Sequence, residues 1–146
     1  MRYLLGLDIG TSGTKTALFD ENGQTISTAT YGYDLFQPQA GYAEQNPEDW
    51  WNACVKGISN VIQKAGVQSE DIKGVGLSGQ MHGLVLVDKD YKVIRNSIIW
   101  CDQRTEKECE EITNTIGKER LIQITGNPAL TGFTLSKLLW IRSEEH

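Results

Sequence analysis

The chain has 146 residues, 39% hydrophobic and 23% charged, with 15 glycines and three prolines; this suits about one domain with a buried core and excludes a collagen, a mucin stalk or a disordered acidic tail. Lys and Arg number 14 against 19 Asp and Glu, and the net charge of -5 gives no footprint for nucleic acid or an anionic membrane, so neither is expected as a partner. No apolar stretch approaches the ~20 residues that cross a bilayer, no secretory leader is readable, and three cysteines without a C-x-x-C spacing predict reduced thiols in a cytoplasmic chain.

Residues 3–9 read as a strand apolar on both faces, with Asp8 near its end. Gly10-Thr11-Ser12-Gly13 turns the chain into an alternating strand over 15–20, and Asp20-Glu21-Asn22-Gly23 turns it again into a Thr- and Tyr-rich strand over 24–33. Three antiparallel strands result. Residues 36–46 are a loop ending in Asn46-Pro47, an N-cap followed by proline at the first helical position. The helix predicted over 47–65 carries Trp50, Trp51, Cys54, Val55, Ile58, Val61 and Ile62 at helical spacing, with Gly66 as its C-terminal cap. Both tryptophans are expected in the core.

Strands are predicted over 72–78 and 84–87, joined by Gly79-Gln80-Met81-His82-Gly83, then around Val93 and Ile94 and over 97–100. Helices over 102–115 and 118–124 break at Gly117, and a last helix runs over 133–142. Leu135, Leu138 and Leu139 give that helix an apolar face without a glycine cap behind it, so the chain is expected to be the front part of a longer one.

Two phosphate-loop signatures are nearly present and neither fits. In Gly10-Thr11-Ser12-Gly13-Thr14-Lys15 the lysine does not follow a glycine, and a strand follows where a Walker A motif needs a helix. Gly74-Val75-Gly76-Leu77-Ser78-Gly79 matches G-x-G-x-x-G literally, yet lies inside a strand and leads into another strand. What remains is a strand ending at Asp8 and a hairpin turn. Such a turn presents backbone N–H groups and two hydroxyls to phosphate oxygens, while a carboxylate at the strand end holds a hydrated Mg²⁺. A plain glycine-rich turn with a surface aspartate is the other reading.

Leu7-Asp8-Ile9-Gly10-Thr11-Ser12-Gly13-Thr14-Lys15 resembles the first phosphate motif of the actin, hexokinase and heat-shock ATPase superfamily. Within it, the FGGY carbohydrate kinases are the close match, through Glu44-Gln45-Asn46-Pro47-Glu48-Asp49-Trp50-Trp51, Ser78-Gly79-Gln80-Met81-His82-Gly83, Trp100-Cys101-Asp102-Gln103-Arg104-Thr105 and Gly126-Asn127-Pro128-Ala129-Leu130-Thr131-Gly132-Phe133-Thr134. These strings resemble those of the family's xylulokinase branch, apart from Cys101, where the family commonly has Asn. The resemblance covers essentially the whole chain.

It implies an α/β ribonuclease-H-like (actin-like ATPase) domain, a mixed sheet with antiparallel N-terminal strands and flanking helices. The chain would be the sugar-binding N-terminal part of a kinase that uses ATP and Mg²⁺, with the nucleotide-binding domain and the catalytic base elsewhere in the protein. The 146 residues alone are therefore expected to be inactive. By the same resemblance Asp8 is the catalytic, metal-associated aspartate, holding Mg²⁺ through water. Gly10, Thr11, Ser12 and Lys15 bind phosphate, and Gln80, Met81, His82, Asp102 and Arg104 bind substrate.

The neutral Met81-His82 pair stands where the glycerol-kinase-like branch has Arg-Glu, which points to a ketopentose. Without the motif, His82 reads as a turn residue; Asp102 and Arg104 read equally as lining the cleft or as an N-cap and ion pair opening the next helix. Partners implied are a small sugar, ATP and the missing C-terminal domain, with homodimer formation left open. A gluconokinase, a ribulokinase or a stand-alone sugar- or phosphate-binding module are the alternatives.

Overall fold

The computed structural model describes residues 1–144, which divide into two compact units: residues 1–34 with 46–80, and residues 35–45 with 81 onward. In chain order the elements are β1 (Tyr3–Ile9), β2 (Gly13–Asp20), β3 (Thr25–Gly32), β4 (Glu44–Gln45), α1 (Pro47–Ala65), β5 (Ile72–Gly79), β6 (Ser97–Ile98), α2 (Glu106–Ile116), α3 (Lys118–Thr125) and α4 (Thr134–Glu144), with a 3₁₀ turn at Ser69–Asp71. Among the described residues no helix is long and apolar enough to cross a membrane.

In the first unit β1, β2 and β3 form the expected antiparallel meander. β5 joins β1 in parallel, giving the order β3-β2-β1-β5. The register sets Leu5 opposite Leu18 and Leu7 opposite Thr16, so one face of the pleat gathers the apolar side chains. Against it α1 places Val61, and Leu5, Leu18 and Val61 form the core with Tyr3, Ala29, Ile58 and Ile72 packed around them.

The helix begins and ends where its punctuation predicts. Asn46 Oδ1 accepts the Glu48 N–H at 3.1 Å, Pro47 occupies the first turn, and Gly66 closes the helix in the left-handed conformation at φ 64. Trp51 is not core, however, being 67% exposed. The buried side of α1 is made of Ala53, Cys54, Gly57 and Val61; helix and sheet approach through small side chains, and Trp51 faces away from them.

Gly57 shows how close that approach is. A Cβ built there would lie 2.1 Å from Thr16 Oγ1 and 3.0 Å from Thr16 Cβ. Thr16 is wholly buried and sits mid-strand, so the helix, not a flexible side chain, must give way. Gly57→Ala should therefore destabilise the chain by roughly 1–3 kcal/mol, although alanine in an open helix position gains about 1 kcal/mol over glycine. Thermal unfolding decides the sign, and an unchanged or raised Tm would show that α1 can slide off the sheet at no penalty.

The second unit is built from short pieces. β4 pairs antiparallel with β6, Glu44 opposite Ile98, and Ala43, Ile98, Ile99, Cys109, Ile112 and Leu121 are buried. The strand expected over 84–87 survives only as isolated bridges, Leu84 with Ile98 and Val87 with Val93. Asp88 Oδ1 accepts the Asp90 and Lys92 N–H groups at 2.8 and 2.9 Å, tightening the turn after it. The strand expected over 97–100 shrinks to two residues.

The helix expected from Asp102 starts at Glu106 instead. The Asp102 carboxylate accepts the N–H groups of Ala43 at 2.6 Å and Arg104 at 3.0 Å, and such side-chain bonds to backbone compete with helical pairing.

Candidate functional site

In the first unit the candidate phosphate turn is held at both ends. The Gly10 N–H donates to the Gly13 carbonyl at 3.1 Å, and the Tyr33 hydroxyl donates to the Gly10 carbonyl while accepting from Thr14 Oγ1 at 3.4 Å. Burial raises the Tyr33 pKa; the Thr14 hydrogen bond opposes this, and the nearby Cys54 and Asp8 charges add to it. Gly13 is required by its neighbour strand, since a Cβ there would lie 2.6 Å from the Tyr31 carbonyl oxygen. Thr11 and Ser12 stand at the tip between these anchors, Ser12 exposed.

Asp8 is exposed near the end of β1. Its register partners are Lys15 on β2 and Ser78 on β5, so the three side chains share one face of the sheet. All three line an open cavity of about 440 Å³. Among the described residues no three His, Cys, Asp or Glu converge on one point; a single exposed carboxylate suits a divalent cation held through its water shell, as Mg²⁺ commonly is. Beyond Ser78 the chain stays close to the turn, because the Gln80 N–H donates to the Ile9 carbonyl at 2.8 Å.

In the second unit Met81 is 66% exposed and His82 is exposed at φ 66, a left-handed conformation that histidine tolerates better than most residues. The His82 carbonyl accepts two bonds from α4, from Lys137 Nζ at 2.7 Å and Thr134 Oγ1 at 3.2 Å. Its imidazole meets the Phe133 ring edge-on, with centroids 4.8 Å apart. Together with Leu130 and Ser136 these rings line a cavity of about 280 Å³.

Asp102 and Arg104 lie in a buried polar network, their side chains 0% and 1% exposed. Arg104 Nη2 reaches Asp102 Oδ2 at 2.8 Å and Glu44 Oε1 at 2.7 Å, and its guanidinium stacks 3.8 Å from the Tyr42 ring centroid and 4.8 Å from that of Trp140. Arg95 makes a second 2.7 Å contact with Glu44. Burial pulls the Arg104 pKa down, but its hydrogen bonds to Asp102 and Glu44, and their charges, hold it above its ordinary value. Of the two equal readings of these residues, the ion pair is present, but ahead of α2 and not in its first turn, and Thr105, not Asp102, occupies the N-cap.

Two residues at these sites escape a reading of the sequence. Tyr33 follows β3, a strand of hydroxyl-bearing residues, with nothing in the sequence to distinguish it. Lys137 had a signal: Phe133, Lys137 and Trp140 fall at i, i+4 and i+7, which puts the lysine on an aromatic helix face. Lys137 is wholly buried, and burial lowers its pKa to about 8 against the charges of Asp102 and Cys101, with Arg104 adding to the fall.

Comparison with known proteins places this arrangement. The N-terminal domain profile of the FGGY family of carbohydrate kinases matches residues 3–146. The chain belongs to the FGGY carbohydrate kinases. It is 45% identical over 145 residues to the xylulose kinase of Bacillus subtilis, covering 99% of this chain and 29% of that protein. The crystal structure of a xyloylose kinase from Brucella ovis superposes with a TM-score of 0.92 at 38% identity, over 99% of this chain and 30% of that one. A gluconate kinase from Lactobacillus acidophilus follows at 0.89 and 30%, over 98% and 28%. The chain thus spans under a third of the length of the FGGY kinases it matches, and its α/β architecture, with antiparallel β1 to β3 and parallel β5, is theirs, the actin-like ATPase fold.

Proposed function

We propose that the full-length protein transfers the γ-phosphoryl group of ATP to D-xylulose, giving D-xylulose 5-phosphate, and that this chain supplies its phosphate turn and part of its sugar site. The observation that carries the reading is the Met81-His82 pair: an imidazole, exposed and set by its backbone, beside a flexible apolar side chain. An uncharged polyol acceptor suits such a pair. His82 donates or accepts a hydrogen bond to a hydroxyl near neutral pH, and Met81 packs against the carbon chain.

ATP with Mg²⁺ supplies the transferred group and neutralises its charge. Asp8 would hold the hydrated cation, while Gly10, Thr11 and Ser12 offer N–H and hydroxyl donors to phosphate and Lys15 a positive charge from the facing strand. Gln80, hydrogen-bonded to β1, links this turn to Met81. Asp102 and Arg104 would serve the sugar site indirectly, their buried pair fixing the Ala43-Glu44 backbone segment. The proton acceptor for the sugar hydroxyl belongs to the remainder of the protein, so the 146 residues alone should not turn over.

The likeness to a gluconate kinase favours a second reading, in which the acceptor is a sugar acid. Sugar-dependent ADP release by the full-length protein, measured with D-xylulose, D-ribulose, gluconate and glycerol, separates the two. D-xylulose should give the highest kcat/KM, and a clear preference for gluconate would replace the first reading with the second. His82→Ala should lose roughly 1–3 kcal/mol on xylulose kcat/KM through the missing hydrogen bond, with the ATP KM kept. Unchanged xylulose kinetics would return His82 to a turn residue.

A further inference from the structure

We infer that Lys137 is a positioning residue for the sugar site, its buried ammonium tying together the two backbone segments that carry the His82 and Phe133 rings. The inference rests on the sugar-site reading of His82 given above. Nζ donates to the His82 carbonyl and to the Gly132 carbonyl, each at 2.7 Å, and Gly132 immediately precedes Phe133. One cation thus joins the backbones on both sides of the ring contact. Thr134 Oγ1 adds a bond to the same His82 carbonyl at 3.2 Å.

A lysine is an expensive way to fill an interior. Burying an ammonium is unfavourable unless hydrogen bonds replace its hydration, and a methionine would fill similar space without that penalty. What methionine cannot do is bind two carbonyls. The His82 backbone is in the left-handed region at φ 66, a conformation that a non-glycine residue keeps only where its surroundings hold it. Lys137 and Thr134 are those surroundings. With the peptide fixed and the ring edge against Phe133 at 67°, the exposed edge of the imidazole points one way, and a hydroxyl meets a donor already oriented.

The experiment is a double-mutant cycle in the full-length protein: wild type, His82→Ala, Lys137→Met and both together, each measured for xylulose KM, ATP KM and kcat. Lys137→Met should raise the xylulose KM roughly tenfold, one hydrogen bond's worth of binding, and leave the ATP KM within about twofold. The double variant should be no worse than His82→Ala alone, because a residue that acts through His82 has nothing left to position. Equal losses from Lys137→Met in both backgrounds, or none in either, would overturn the inference.

A readout independent of catalysis is the ¹⁵N NMR signal of the His82 ring, assigned by its disappearance in His82→Ala. In Lys137→Met it should move or broaden, and an unmoved signal rejects a positioning role even where sugar binding is intact. Conversely, normal xylulose kinetics in His82→Ala, alongside a His82 signal that does respond to Lys137→Met, would reject the sugar-site reading and with it the sugar role of Lys137, leaving only the backbone clamp. Should Lys137→Met not fold, Thr134→Val removes the other donor to the same carbonyl at an exposed position, and the same pattern is expected at smaller amplitude; wild-type kinetics and an unmoved His82 signal there would count against the clamp.

Discussion

Asp8→Asn in the full-length protein should lower sugar-dependent turnover by on the order of 10²–10³, about 3–4 kcal/mol, because it removes one electrostatic element of a phosphoryl-transfer site and keeps its shape. Asp8 is exposed and faces away from the Leu5, Leu18 and Val61 core, so the melting temperature should hardly move. The loss should persist at saturating sugar and ease at high Mg²⁺ if the carboxylate binds the cation's water shell. Near-normal turnover would show the Gly10 to Gly13 turn to be an ordinary hairpin.

Asp102→Ala should act on stability, with a loss of roughly 3–5 kcal/mol. The carboxylate is fully buried and carries the Ala43 and Arg104 N–H groups as well as the Arg104 guanidinium. Removing it leaves a buried cation with Glu44 as its remaining anionic partner among the described residues, and leaves two backbone donors, at Ala43 and Arg104, without their acceptor. For a chain whose whole stability is of order 5–15 kcal/mol this is a large share. Chemical denaturation measures it, and a loss below about 1 kcal/mol would mean that Tyr42, Trp140 and Glu44 hold Arg104 without its main counter-ion. Replacing Asp102 and Arg104 together by apolar residues should be milder than Asp102→Ala alone.

The first unit was legible because its signals are local. Asn46-Pro47 and Gly66 mark α1 to the residue, and Asp20 to Gly23 marks a hairpin whose partners are adjacent in sequence. Trp51 was misread because apolar character alone does not tell which flank of a helix meets the sheet; that is settled by Gly57, whose missing side chain leaves room for that of Thr16. In the second unit the apolar runs over 84–87 and 97–100 look like strands, but the first keeps only isolated bridges and the second only the two residues of β6. The Asp102-Arg104 ion pair was one of two equal readings of those residues, whereas its third member, Glu44, lies 60 residues away from Arg104 and no spacing rule connects them. The partner of Lys137 was hidden for the same reason, since the carbonyl it binds lies 55 residues earlier.

The route of the chain between its two units sets an order of events during synthesis. Residues 35–45 leave the first unit, give β4 to the second, and the chain returns at Asn46 to complete α1 and β5. Everything the first unit needs has therefore emerged by residue 80. The Ala43 N–H, in contrast, waits for a carboxylate 59 residues downstream, and Glu44 for guanidinium groups 51 and 60 residues away. Closing such loops carries an entropic penalty that nearby contacts do not. On the ribosome the sheet with its phosphate turn can be in place while 35–45 is still an unpaired loop, and the His82 segment gains its fixed geometry only once α4 arrives.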